Sequence, residues 1–444
     1  MHNQHGSPFS HIFRLWWPLA GSWLLMGFEI PLVAIVLSRF PNPEIHLAAW
    51  GGVVFPLSLI IEAPIIMILS ASTVLCKDGP AYVLLRNFIW VFGGMLTMLH
   101  MAVAFTPLYD VIVVDWLGAP APIVEPARVG LQIMTPWTLA IALRRFLQGV
   151  VIRTGQTRLI VLGTFMRICV SGSLLGFGLW ETGRAGIVVA TTAMVTGVIV
   201  EAGLIHLIAR SAIRMVWSQP QISDLSLRKL VKFYVPLAAT PLMTLATLPI
   251  ISAALSRMPM ALESLAVWPV LGGLTFVFRS VGFAFQEVVI ALSVRREMVI
   301  PLKYFAGGLA CCTTGTLLFL AVTPLATFWF DAVAALTPAL SLMAQKGLWI
   351  ALLMPLFSPW EGFFNGILVQ HGLTKCVTQA VFLYGVGCST LLGLGVFYGG
   401  WTGLYVGLMA VVFGLILQTT WLGKKSTRFL STALRETVVN DRKS

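Results

Sequence analysis

The chain has 444 residues, 58% of them hydrophobic and only 10% charged, with a mean hydropathy of +0.89. A soluble domain carries about 25% charged residues to face water. This composition therefore excludes a soluble enzyme, a disulfide-stapled secreted module and a disordered scaffold, and it predicts an all-α polytopic membrane protein whose first partner is the lipid bilayer. The net charge of +12 becomes a matter of membrane topology, and nucleic acid is not expected as a partner.

The opening MHNQHGSPFSH is polar, and the apolar run after Arg14 is longer than the roughly 7 to 15 residues of a signal-peptide core. The first helix is thus expected to stay in the mature protein. His2, His5 and His11 read as a solvated tail rather than a metal arm. Apolar runs of about 20 residues, enough to cross about 30 Å of hydrocarbon, then recur along the chain. Twelve spans are predicted, at 12–38, 46–75, 86–107, 127–150, 158–180, 185–210, 230–256, 264–293, 302–328, 338–368, 374–397 and 401–423. The cysteines show no CxxC spacing and lie mostly inside these runs, where free thiols behave as small hydrophobes; no disulfide, metal or cofactor is expected.

Orientation follows from Lys and Arg, which are retained in cytoplasmic loops. With the N-terminus inside, the cytoplasmic side collects nearly every positive cluster, and the outer side holds only Arg39, Arg128, Arg184, Arg257 and Lys346. Both termini are expected in the cytoplasm of a multi-pass inner or plasma membrane protein.

Sliding the chain against itself by 218 residues brings Pro18–Trp50 onto Pro236–Trp268 without a gap, matching Pro18/Pro236, Pro31/Pro249, Ser38/Ser256, Arg39/Arg257, Pro41/Pro259 and Trp50/Trp268 among others. A second match at an offset of 217 pairs Gly149, Gly155 and Thr157 with Gly366, Gly372 and Thr374. Repetition in the same order and orientation implies two six-helix lobes related by a pseudo-two-fold axis along the membrane normal. The expected organisation is an N-terminal lobe at 1–210, a cytoplasmic linker at 211–229 with amphipathic character, a C-terminal lobe at 230–423 and a basic tail at 424–444. Two such lobes enclose a cleft, and rocking one against the other alternates its access.

The six-plus-six arrangement and the loops GVVIRTGQTR and GILVQHGLTK resemble the multidrug/oligosaccharidyl-lipid/polysaccharide (MOP) exporter superfamily, with a MATE-like fold. The runs WWPLAGSWLLMGFEIPLVAIVLSR (16–39) and YVPLAATPLMTLATLPIISAALSR (234–257) resemble the progressive ankylosis family within it. The resemblance implies a two-lobed exporter. Its MATE branch implies multidrug efflux against protons or sodium, and its ankylosis branch export of anions such as citrate, pyrophosphate or nucleotide. Glu29 departs from the repeat, since Thr247 takes its place in the second copy.

An ionisable side chain inside a span is costly and marks a functional candidate. Arg279, near the middle of the eighth span, and Gln286 on the same face are candidate substrate-binding residues, because a guanidinium fork suits an anion. The structural alternative is a bridge from Arg279 to Glu62, which aligns near it in the repeat and is itself a candidate. Arg144 and Arg145 either guide an anion or anchor a helix end. Glu29 stands two residues before Pro31, whose ring removes a helix hydrogen bond; it is the candidate ion-coupling carboxylate, with Pro31 and Pro249 as hinges. Arg167, Glu201, Glu287, Glu361 and His100 complete the intramembrane set.

The leading expectation is a secondary active exporter of a small organic or phosphorylated anion, coupled to protons or sodium and acting as a monomer. The alternatives are a cationic multidrug antiporter and a lipid-linked saccharide flippase. An enzyme is not expected, since the chain has neither a DDxxD cluster nor a P-loop.

Overall fold

The computed structural model describes the chain from residue 8 to residue 441, except 157, 182 and 221–223; for 158–159 and 429–441 it describes the backbone only. Twelve long helices follow one another among the described residues. They are α1 (Pro8–Leu37), α2 (Pro43–Leu75), α3 (Gly79–Phe105), α4 (Ala121–Arg153), α5 (Ile160–Trp180), α6 (Gly186–Trp217), α7 (Leu227–Ser256), α8 (Ala261–Leu292), α9 (Arg296–Val322), α10 (Pro338–Gln370), α11 (Thr374–Tyr398) and α12 (Gly403–Arg428), the last continuing as helix to Asp441. Eleven are long and apolar enough to cross a membrane. The exception is α4, whose 33 residues suffice in length but which carries Glu125, Arg128, Arg144, Arg145 and Arg153.

Several helices run past their apolar runs. Asp78 caps α3 by accepting from the Ala81 amide at 3.0 Å, so the helix starts at Gly79 rather than with the apolar stretch, since an aspartate there satisfies an otherwise orphaned donor. The start of the expected linker is absorbed into α6, which continues to Trp217, and α7 begins at Leu227 behind the Ser226 cap. Between them Asp224 accepts from Lys229, and that hydrogen bond holds its carboxyl below the usual range. His2 and His5 lie outside the described residues, and His11 is exposed on the first turns of α1.

The duplication is visible in the backbone. α1 breaks between Gly27 and Glu29, and α7 between Leu245 and Thr247, one repeat apart. Both breaks lie four residues before a proline, Pro31 or Pro249, whose missing N–H leaves a carbonyl unpaired. Asn42 and Met260, just before α2 and α8, both adopt the left-handed conformation. So do Gly155 and Gly372 (φ +77° and +73°), which explains the second glycine of the repeated loop motif. Burial repeats as well: 28% of the apolar stretch is buried in both α3 and α9, and 22% in both α5 and α11. These four helices turn exposed side chains such as Trp90, Met98, Phe165, Phe319 and Phe382 outward, which is the surface a bilayer covers.

Helices α1–α6 form one lobe and α7–α12 the other. Within them α4 packs on α6 and α8 on α10, while α1 lies along α8 and α2 along α7 at the two seams between the lobes. Twelve spans place the α1–α2, α3–α4, α7–α8 and α9–α10 turns on one face, here called distal. The start of α1 and the end of α12 lie on the opposite, proximal face.

Candidate functional site

The break in α1 turns Glu29 into the N-terminal lobe, where it is buried. Its Oε2 lies 3.0 Å from Nη2 of Arg167 on α5. Arg167 Nε is 3.3 Å from Oε2 of Glu201 on α6, and Nη1 of Arg144 on α4 is 2.5 Å from that same oxygen. The other Glu201 oxygen accepts from Gln148 Nε2 and Thr164 Oγ1, each at 3.3 Å. The result is a chain of alternating charge, Glu29–Arg167–Glu201–Arg144, that ties four helices together. Burial of this kind is tolerated when every charge is paired and its remaining sites are hydrogen-bonded. Within it Glu29 Oε1, Arg144 Nε and Arg167 Nε have no hydrogen-bond partner.

Beside this chain, Glu62 on α2 accepts a hydrogen bond from the Trp137 indole of α4, with the Arg145 charge close by. Arg145 is half-buried, and its Nε has no partner. His100 meets the Thr138 hydroxyl at 3.0 Å within the lobe.

The same positions recur one repeat later with different residues. Glu29, Arg144, Gln148, Arg167 and Glu201 correspond to Thr247, Glu361, Asn365, Tyr384 and Gln418. Where Arg144 meets Glu201, Gln418 Nε2 donates to Glu361 Oε1, also at 2.5 Å. Where Glu29 meets Arg167, Thr247 stands beside Tyr384 and donates to the Thr244 carbonyl of its own helix at 2.7 Å. The N-terminal cluster thus holds paired charges of both signs, while the C-terminal one holds a single carboxylate. Glu361 Oε2 and Asn365 Oδ1 have no hydrogen-bond partner.

Arg279 lies on the stripe of α8 formed by Gly272, Phe276, Arg279, Phe283 and Gln286, which is partly open, as are Val277, Phe278 and Glu287 next to it. Its backbone carbonyl accepts from Ser358 of α10 at 2.7 Å. Its guanidinium lies over the Phe283 ring, 5.3 Å from the centroid, and its charge acts on Glu361 and Tyr384. Arg279 Nε has no hydrogen-bond partner.

Two expectations need correction. Arg279 is not bridged to Glu62: although Glu62 aligns beside it in the repeat, at Ser280, Glu62 is taken by Trp137 of its own lobe, and the carboxylate on which the Arg279 charge acts is Glu361. Arg144 does not stand free at a helix end: its guanidinium is buried against Glu201 inside the lobe. The remaining candidates divide between the lobes. Glu29 and Arg145 join the N-terminal cluster, and Gln286 shares the open stripe with Arg279. Pro31 and Pro249 sit at the two helix breaks, with Pro31 buried. Gln148, Asn365, Tyr384 and Gln418 were not singled out from sequence. Extending the 217-residue offset beyond the glycine loops would have paired each with its counterpart, but the residue types differ and leave no identity to notice.

These features define a polytopic helical membrane protein of two pseudo-symmetric lobes with polar clusters inside each. No family model matches the chain, and no curated protein does. Solved structures do match. A multidrug resistance MATE family transporter of the MOP superfamily in an inward-facing conformation superposes with a TM-score of 0.65 at 14% identity, over 95% of both chains. The lipid II flippase MurJ in an inward closed conformation gives 0.67 at 16% identity, over 91% of this chain and 86% of its own. A MOP superfamily transporter from Pyrococcus furiosus, described by the reverse polarity of its binding pocket, gives 0.63 at 14% identity, over 96% of each. The chain therefore has the MATE-like fold of MOP superfamily transporters, twelve membrane helices in two lobes.

Proposed function

We propose that the protein is a secondary active transporter, not an enzyme, that exports a small organic or phosphorylated anion by alternating access between its two lobes. The proximal face, where α1 begins and α12 ends and where most loop lysines and arginines fall, is cytoplasmic on the positive-inside argument. The observation that carries the anion reading is Arg279: a guanidinium on the partly open stripe of α8, with Nε unpartnered and an aromatic face beneath it. A planar fork of donors in such a place suits a carboxylate or phosphate. Gln286, two turns along the same stripe, adds a neutral donor and acceptor.

The energy source in this reading is a proton or sodium gradient, and Glu29 is the coupling group. Its carboxylate joins the broken segment of α1 to Arg167. Neutralising it weakens that tie and frees α1 to move at Pro31, with α7 carrying the equivalent break at Pro249. Glu361 favours a second reading, a cationic multidrug antiporter, because one of its buried oxygens has no hydrogen-bond partner. The likeness to a lipid II flippase suggests lipid-linked cargo as a third.

Metabolite analysis of the medium from cells expressing wild type or Arg279→Ala at matched membrane levels separates these readings. Enrichment of an organic or phosphorylated anion with wild type only is the expected result, and Arg279→Lys should retain part of it. Export that is unchanged by Arg279→Ala, or that consists of cations or lipid-linked saccharide, overturns the anion reading.

A further inference from the structure

Arg39 closes α1 and Arg257 closes α7, at equivalent positions of the repeat. Each guanidinium is steadied by the carbonyl four residues back on its own helix, Ile35 for Arg39 and Ala253, at 2.8 Å, for Arg257. Each then reaches across to the other lobe. Arg39 Nη2 donates to the carbonyls of Ala332 and Val333 in the α9–α10 turn, at 3.3 and 2.9 Å. Arg257 donates from Nη1 to Leu117 at 2.9 Å, and from Nη2 to Asp115 and Trp116 at 3.2 and 2.5 Å, all in the α3–α4 turn.

The acceptors are equivalent too. They end the π-helical turns Val111–Trp116 and Phe328–Val333, which are one repeat apart. Each turn is followed by a residue in the left-handed conformation, Gly118 at φ +65° and Ala335 at φ +48°, which ends the helix and leaves its last carbonyls pointing outward. A cation is favoured there by the helix dipole as well as by the hydrogen bonds. A Cβ at Gly118 would sit 3.3 Å from Arg257 Cζ, so the glycine also makes room for the guanidinium. Among the described residues, no other side chain makes an interlobe hydrogen bond on the distal face.

We propose that these two clamps are the latch of the distal gate. Each lobe supplies one arginine and one acceptor turn, so the pair obeys the pseudo-two-fold and holds the distal mouth shut while both are made; opening to that side breaks both. This rests on the alternating-access reading of the two lobes, and not on the identity of the cargo.

The test is a distance measurement that needs no substrate. Spin labels are placed at Arg184→Cys in the α5–α6 turn and Tyr398→Cys at the end of α11, exposed sites on opposite lobes at the distal face, with the native cysteines replaced by serine. The parent should show mainly one short distance by electron double resonance. Charge-assisted hydrogen bonds of this kind are strong enough that removing each clamp should raise the open population about tenfold, so that Arg39→Ala/Arg257→Ala exceeds either single variant. Lysine cannot fork over two carbonyls, and Arg39→Lys/Arg257→Lys should fall between; it carries the test with the same sign if the alanine pair does not fold. An unchanged distance distribution in the double variants overturns the latch. Because no cargo is involved, failure of the anion reading leaves this result standing, and the reverse also holds.

Discussion

Glu201→Gln probes the centre of the buried charge chain. The carboxylate accepts from Arg144, Arg167, Gln148 and Thr164, and the amide offers one oxygen in place of two and no charge. Arg167 keeps Glu29 at 3.0 Å, but Arg144 is left buried without an ion-pair partner. Stranding a buried charge in this way costs about 3 to 5 kcal/mol. The other lobe supplies the control, since glutamine already stands at the equivalent position, 418, and is tolerated there because its amide donates to Glu361 at 2.5 Å. The double variant R144E/E201Q copies that pair into the N-terminal lobe, where Arg167 then faces the new carboxylate as well as Glu29. It should regain about 2 kcal/mol of the loss. Reversible unfolding in mixed detergent micelles, followed by circular dichroism, measures both. A single variant within about 1 kcal/mol of wild type, or a double variant less stable than the single, would refute the assignment of Glu201 as the hub.

Glu29→Gln should leave the fold intact, because Arg167 keeps Glu201, and should flatten the dependence of transport on the pH difference across proteoliposome membranes; an unaltered dependence moves the coupling site elsewhere. Gly282→Ala places a Cβ 2.8 Å from Pro359 N, at the contact that seats Arg279 against Ser358. It should lower stability by about 1 to 3 kcal/mol, read as a reduced thermal midpoint, with weakened export at matched protein levels.

Much of the architecture was legible in the chain. Hydrophobic run length depends only on the thickness of hydrocarbon to be crossed, so the number of spans could be read directly. The repeat placed the two lobes, and Pro31 and Pro249 marked the helix breaks because a proline removes its hydrogen bond wherever it stands in a helix. Helix ends were less legible. The Asp78 cap and the continuation of α6 to Trp217 lie beyond the apolar runs, where hydropathy carries no signal. α4 shows the converse, a helix too polar by composition that still takes its place in the bundle because Arg144 finds Glu201 inside it.

The partnering of the charges was decided by tertiary structure alone. A neighbouring repeat position suggested Glu62 for Arg279, yet Glu62 meets Trp137 and the Arg279 charge acts on Glu361. The repeat specifies where a residue stands on its helix but not which way that helix turns against its neighbours, and a side chain's reach of a few ångströms makes that rotation decisive. The same holds at the distal face. Composition and spacing determined a two-lobed membrane bundle and counted Arg39 and Arg257 as two of its few outer positives. Only the packed structure brings each arginine onto the carbonyls at the end of a helical turn in the opposite lobe, because those acceptors are backbone groups, present at every residue and distinguished only by the fold that leaves them unpaired.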